Sequence, residues 1–171
     1  GATALGSFSS AMSKLGNNVR ILFKRGETFS ASESTINGNG PVIIGAYGAG
    51  AKPKLTASYR IFEVYSNDIR IMDLDLQGNA GAFSGSNALF LRLDVHNVPG
   101  IGVQWGEGSA VYTFLFDSTV KDTDNANMYI HSQKVAVLGN NLSRVPTTHN
   151  IYGDVVDYGV FTANKFSQAS Y

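Results

Sequence analysis

The 171-residue sequence contains no cysteine. This excludes disulfides and thiolate metal sites. Charge is scarce as well. Charged residues make up 15% of the chain, and 13 lysines and arginines balance 13 aspartates and glutamates. A nucleic-acid binder neutralises phosphates with a basic surplus, so no nucleic-acid partner is expected. No apolar run approaches the roughly 20 residues of a membrane-spanning helix, and no membrane partner is expected. The opening Gly1-Ala2-Thr3 lacks the basic region and apolar stretch of a secretory signal. An exported form is therefore expected to have had its signal removed. What is plentiful is glycine, 19 residues, with asparagine and serine between short apolar runs. That composition points to one all-β domain with many turns.

Only the first residues carry a helical period. Leu5, Phe8, Met12 and Leu15 recur at steps of three and four, the spacing of one helical face. The spacing predicts a helix over 4–15, capped by Thr3 and closed by Gly16. A lone helix ahead of strands can lie over the end of a β-stack and cover its apolar interior. Residues 1–17 are thus expected to form a cap and 18–171 the stack.

The rest of the chain repeats. Segments 69–76 (IRIMDLDL), 88–95 (ALFLRLDV), 113–120 (TFLFDSTV), 135–142 (VAVLGNNL) and 159–166 (GVFTANKF) align without gaps. Their third position is Ile71, Phe90, Leu115, Val137 and Phe161. Their eighth is Leu76, Val95, Val120, Leu142 and Phe166. Their sixth is Leu74, Leu93, Ser118, Asn140 and Asn164. Val19 and Val42 open two earlier runs of the same kind. The mean period of about 22 residues is too short for a propeller blade of about 40. It suits a solenoid in which each strand pairs in parallel with its counterpart one coil away, about 4.8 Å along the axis. The expected fold is all-β: a right-handed parallel β-helix with a short N-terminal capping α-helix. Asn140 and Asn164 fall one coil apart at a turn and predict the start of an asparagine ladder.

Two stretches resemble right-handed parallel β-helix proteins of the pectin-lyase-like superfamily. One is the passage 5–55, with its helix, ILFKRGETF and VIIGAYGAGAKPKL. The other is HNIY at 149–152 with GVFTANKF downstream. The resemblance is one of pattern. It implies polysaccharide chemistry, as in polyuronate lyases and epimerases, and a secreted or cell-surface location. It does not assign an activity. The paired Asp-Pro-His motif of alginate epimerases is missing.

The chemistry is expected on another strand of each coil. Aligning 101–104 (IGVQ), 128–131 (MYIH) and 151–154 (IYGD) puts Ile101, Met128 and Ile151 inward. Gly102, Tyr129 and Tyr152 then form one outward column, and Gln104, His131 and Asp154 another. Glu63 and Tyr65 of an earlier coil share this face. Tyrosine rings suit sugar faces, and His or Asp can move a proton. On the lyase reading, His131 is the base, and Tyr152, Arg144 or Lys134 serves as acid or neutraliser. Tyr129, Asp154, Gln104, Lys134 and His149 would bind substrate, with Arg144 and His149 overhanging from the preceding loop. The alternatives are a non-catalytic glycan-binding module and a structural or assembly module such as a spike or adhesin segment. Whether the chain is an enzyme stays open.

Other features read more simply. Asp117, Asp122, Asp124, Asn125 and Asn127 make an oxygen-rich stretch where Ca²⁺ could sit, but the EF-hand spacing is absent and a polar turn is the plainer reading. No other cofactor is expected. The GAYGAG glycines lack a nucleotide-binding frame. Asp73 and Asp75 read as the solvent side of a strand, Trp105 as cover for a coil corner in preference to a sugar platform, and His96 as a structural turn residue. Phe161 and Phe166 should lie open at the axial end of the stack. Self-association there, or further coils in a longer natural chain, is expected.

Overall fold

A computed structural model describes residues 5–106 and 110–169. It is a parallel β-solenoid of about 6 turns, with coils of about 23 residues. Each coil has three faces. Strand alternation builds them, as in Lys134–Leu138, where Val135 and Val137 are buried and the residues between them are not. The first face holds seven strands in chain order: Val19–Lys24, Asn39–Tyr47, Asn67–Met72, Ala88–Leu91, Thr113–Phe116, Lys134–Leu138 and Tyr158–Thr162. The second and third faces belong to one eleven-stranded sheet. They merge because Lys54–Val64 and Asp75–Phe83 each run across both faces, pairing near their starts with second-face strands and near their ends with third-face strands.

The repeat alignment describes the first two faces. Ile71, Phe90, Leu115, Val137 and Phe161 are successive partners on the first face. Leu76, Val95, Val120, Leu142 and Phe166 are successive partners on the second. Val19 pairs with Val42. The turn between these faces carries the polar ladder, which starts one coil earlier than the asparagines. Ser118 Oγ accepts from the Leu93 N–H (3.0 Å), Asn140 Oδ1 from the Ser118 N–H (2.8 Å), and Asn164 Oδ1 from the Asn140 N–H (2.9 Å). Asn140 Nδ2 donates to the Leu115 carbonyl at 2.9 Å. Each side chain thereby satisfies backbone groups that a sharp turn leaves unpaired.

The corners are made by single residues in the left-handed region. Asp73, Arg92, Asp117, Gly139 and Ala163 form one such column. Asn97, Asp122, Arg144 and Gln168 form another, between the second and third faces. Asp73 and Asp75 are therefore not two solvent positions of one strand. Asp73 turns the corner and holds Arg92 with two bonds of 2.7 Å, while Asp75 opens the next strand and binds His96 at 2.7 Å.

The N-terminal helix is shorter than its apolar spacing suggests. It spans Phe8–Met12, and the Ser7 side chain, accepting from the Ser10 N–H, caps it. Thr3 lies outside the described residues. Ser13 ends the helix, not Gly16. Its ring still closes the stack: Phe8 is buried against Phe23 (centroids 5.8 Å) and Phe62 (6.2 Å). At the other end, Tyr158–Thr162 and Lys165–Ala169 pair on one side only among the described residues, and Phe161 and Phe166 are 44% and 50% exposed.

Candidate functional site

Met128–His131 and Ile151–Val155 are adjacent third-face strands. Met128 and Ile130 point into the core, so Tyr129 and His131 point out. Tyr129 pairs with Tyr152, and their rings stack with centroids 5.7 Å apart. The register then shifts. His131 pairs with Val155, which leaves Asp154 as an extra residue on its strand. The bulge aims the Asp154 carboxylate back across both neighbours. Tyr129 Oη donates to it at 2.8 Å, and His131 Nδ1 lies 2.7 Å from its other oxygen. The Tyr129 hydroxyl, and then His131, hold the Asp154 carboxyl below its ordinary value. Gly106 supports His131 from the coil before. It has a positive φ of 86°, and a Cβ there would lie 1.6 Å from the His131 carbonyl oxygen.

The loop 146–150 leads into this strand. His149 lies parallel to Tyr152 with centroids 5.7 Å apart. The loop is fixed from below by a second asparagine pair. Asn127 is fully buried and donates to Asn150 Oδ1 (2.8 Å) and to the Ser143 carbonyl (3.1 Å). Thr147 and Thr148 hydroxyls donate to the carbonyls of Asp124 and Asn125. Pro146, at the other end of the loop, lines an open groove of about 690 Å³ together with Pro99, Asp122, Asp124, Arg144 and Gln168.

The sequence-derived residues thus divide. Tyr129, His131, Tyr152, Asp154 and His149 come together. Gln104 does not share the His131 column: it pairs with Tyr129, because Val103 rather than Ile101 pairs with Met128. Arg144 belongs to a second-face strand and chelates Asp122 through two nitrogens, so it turns to the groove corner. Lys134 starts a first-face strand, bonds the Tyr112 hydroxyl at 3.2 Å and sits 4.9 Å from that ring centroid. Trp105 is fully buried against Phe90 and is core, not a corner cover. The oxygen-rich stretch hides Asn127, and Asn150 stands outside it in HNIY; their 23-residue separation, one coil, was the available signal. Among the described residues, no three His, Asp or Glu side chains converge as a metal site would require.

No protein-family model, no curated protein and no solved structure matches this chain.

Proposed function

We propose that the chain is a glycan-binding β-helix module, secreted or cell-surface, that takes a neutral oligosaccharide across the third face and the groove beside it. The observation that carries this reading is the loop 146–150, which joins the two. One end lays His149 on the Tyr129–Tyr152 stack, and the other lines the open groove with Pro146. The open edges of this ring stack, with proline rings, carboxylates and amides beside them, suit sugar rings and their hydroxyls. The charge disfavours a polyuronate. Asp154 adds a carboxylate to the face, while Arg60, Arg144 and Lys134 are engaged with Glu63, Asp122 and Tyr112. The pattern resemblance to pectin-lyase-like proteins adds support through fold alone.

One observation favours a catalytic version. Asp154 on Nδ1 leaves Nε2 of His131 as the basic atom, the arrangement of an oriented general base. Titration calorimetry with glucan, mannan and xylan oligosaccharides, beside oligogalacturonate and alginate oligomers, tests the binding reading. Binding of a neutral series that Tyr152→Ala weakens at least tenfold is expected. Binding confined to the uronates, or indifferent to Tyr152→Ala, refutes it. Release of unsaturated uronides, read by ultraviolet absorbance and lost in His131→Ala, would establish the lyase-like reading in its place.

A further inference from the structure

The first face differs from the other two in what it shows to solvent. On the second face the outward residues are polar or charged, as in Asp94, Thr119, Lys121 and Lys165. On the first face two outward columns run along the axis. In one, Arg20, Ile43 and Arg70 precede Leu89, Phe114, Ala136 and Val160 as successive partners. In the other, exposed Leu22 lies on the first strand, and Met72, Leu91, Phe116 and Leu138 are successive partners. These side chains are half-buried or exposed, and Val160 is 57% exposed. A regular apolar sheet face of this kind marks an interaction surface.

We propose that this face docks a second copy of the chain, sheet on sheet, about a two-fold axis that sets the two solenoid axes antiparallel. Area and charge point to that occupant. Seven strands at about 4.8 Å span roughly 30 Å, and four to six residues at about 3.3 Å give roughly 13–20 Å of width. Each copy therefore offers about 400–600 Å², and the pair buries roughly 800–1,200 Å², which reaches the lower edge of stable interfaces. The columns are self-complementary in shape because both are flat sheet, which packs aligned at about 10 Å. Charge selects the direction. Exposed Arg20 lies on the first strand of this face, and exposed Asp157 directly precedes the last. Antiparallel axes bring each Arg20 toward the partner's Asp157 and lay each Arg70, which its own Asp68 pairs at 2.8 Å, on the partner's Phe114, whereas parallel axes set arginine against arginine.

The absence of cysteine makes a direct test available. Leu91 lies on the middle strand of the seven, next to the proposed two-fold. Single-cysteine variants at Leu91 and at Arg20 are treated with a short bifunctional maleimide, since sheets about 10 Å apart hold facing Cα atoms beyond disulfide reach, and the products are separated on denaturing gels. Leu91→Cys should give a covalent dimer. Arg20→Cys alone should not, and it should form one when mixed with Val160→Cys. Sedimentation velocity of the unmodified chain should show a dimer that Leu91→Glu and Val160→Glu both convert to monomer. Val160→Glu, at an exposed site, guards against misfolding of the first variant. A monomer at several hundred micromolar overturns the proposal. So does an assembly lost in Phe166→Glu but kept in the face variants, which would place contact at the axial end. Self-crosslinking of Arg20→Cys as strong as that of Leu91→Cys refutes the antiparallel arrangement.

Discussion

Replacing Asn140 by alanine isolates the polar ladder from the hydrophobic stack. The Asn140 side chain is buried, accepts from the Ser118 N–H and donates to the Leu115 carbonyl. Alanine strands one donor and one acceptor inside the coil. Each costs about 1–3 kcal/mol, so the loss should be roughly 2–6 kcal/mol. Ser118→Ala removes an acceptor for the Leu93 N–H only, since the bond from Ser118 Oγ to the Phe116 carbonyl is local. It should cost about half as much. Asn140→Asp keeps an acceptor toward Ser118 but turns a carboxylate on the Leu115 carbonyl and on Asn164 Oδ1, now 3.0 Å from Nδ2. It should be at least as harmful as alanine at neutral pH and recover in acid, where a protonated Asp donates again. Urea unfolding followed by circular dichroism and by fluorescence of the single, buried Trp105 measures all three. Coincident midpoints would license a two-state treatment. A loss below about 1 kcal/mol for Asn140→Ala, or an Asp variant as stable as the parent at pH 7, refutes the ladder as a source of stability.

Two further expectations follow from position and from charge. Phe90 and Phe161 occupy one column, but Phe90 is 1% exposed and Phe161 is 44% exposed. Phe90→Ala should cost about 3–5 kcal/mol and Phe161→Ala only about 1 kcal/mol; equal losses in thermal unfolding would mean that the Phe161 ring is covered in solution. Arg92 and Arg144 hold the carboxyls of Asp73 and Asp122 below the ordinary aspartate range. Between the folded and unfolded values the unfolded chain binds more protons, so this stability is complete above about pH 4 and drains as pH falls through the folded values. Asp122→Asn should flatten the acid limb of a stability–pH curve, and an unchanged limb would contradict the pairing.

How much of this was legible depends on the face. On the first two faces the third and eighth positions are apolar in every aligned coil from Ile71 to Phe166, and a shift by one would expose the whole set. The sequence therefore determines their register. The third face is weaker. Ile101, Val103 and Trp105 are all apolar at alternate positions, so a slip of two keeps the same side chains inward. The outward side of Gln104 was thus readable while its rung was not. Backbone clearance decides the rung. A Cβ on Gly102 would lie 2.7 Å from the Asn127 carbonyl oxygen, and one on Gly106 1.6 Å from that of His131. The bulge at Asp154 left no trace either, because the 23-residue step from His131 suggested a direct pair. Arg144 turned away because Asp122, one coil below, takes its guanidinium, a contact that only the corner column reveals. The helix came out short since a serine, Ser7, competes for the cap ahead of Phe8.

The left-handed corners bear on how such a chain can change. Val42 pairs with Ile69, yet Ile69 pairs with Ala88 only 19 residues on. The extra length of the longer coil bulges outward at its turns, and the ladder resumes where it left off. Insertions and deletions in a corner therefore leave the interior unread. A library of foreign peptides spliced after Pro146 would vary the rim of the groove while Asn127 and Asn150 keep the rungs beneath it aligned, which makes this chain a scaffold whose outer surface can be rewritten one coil at a time.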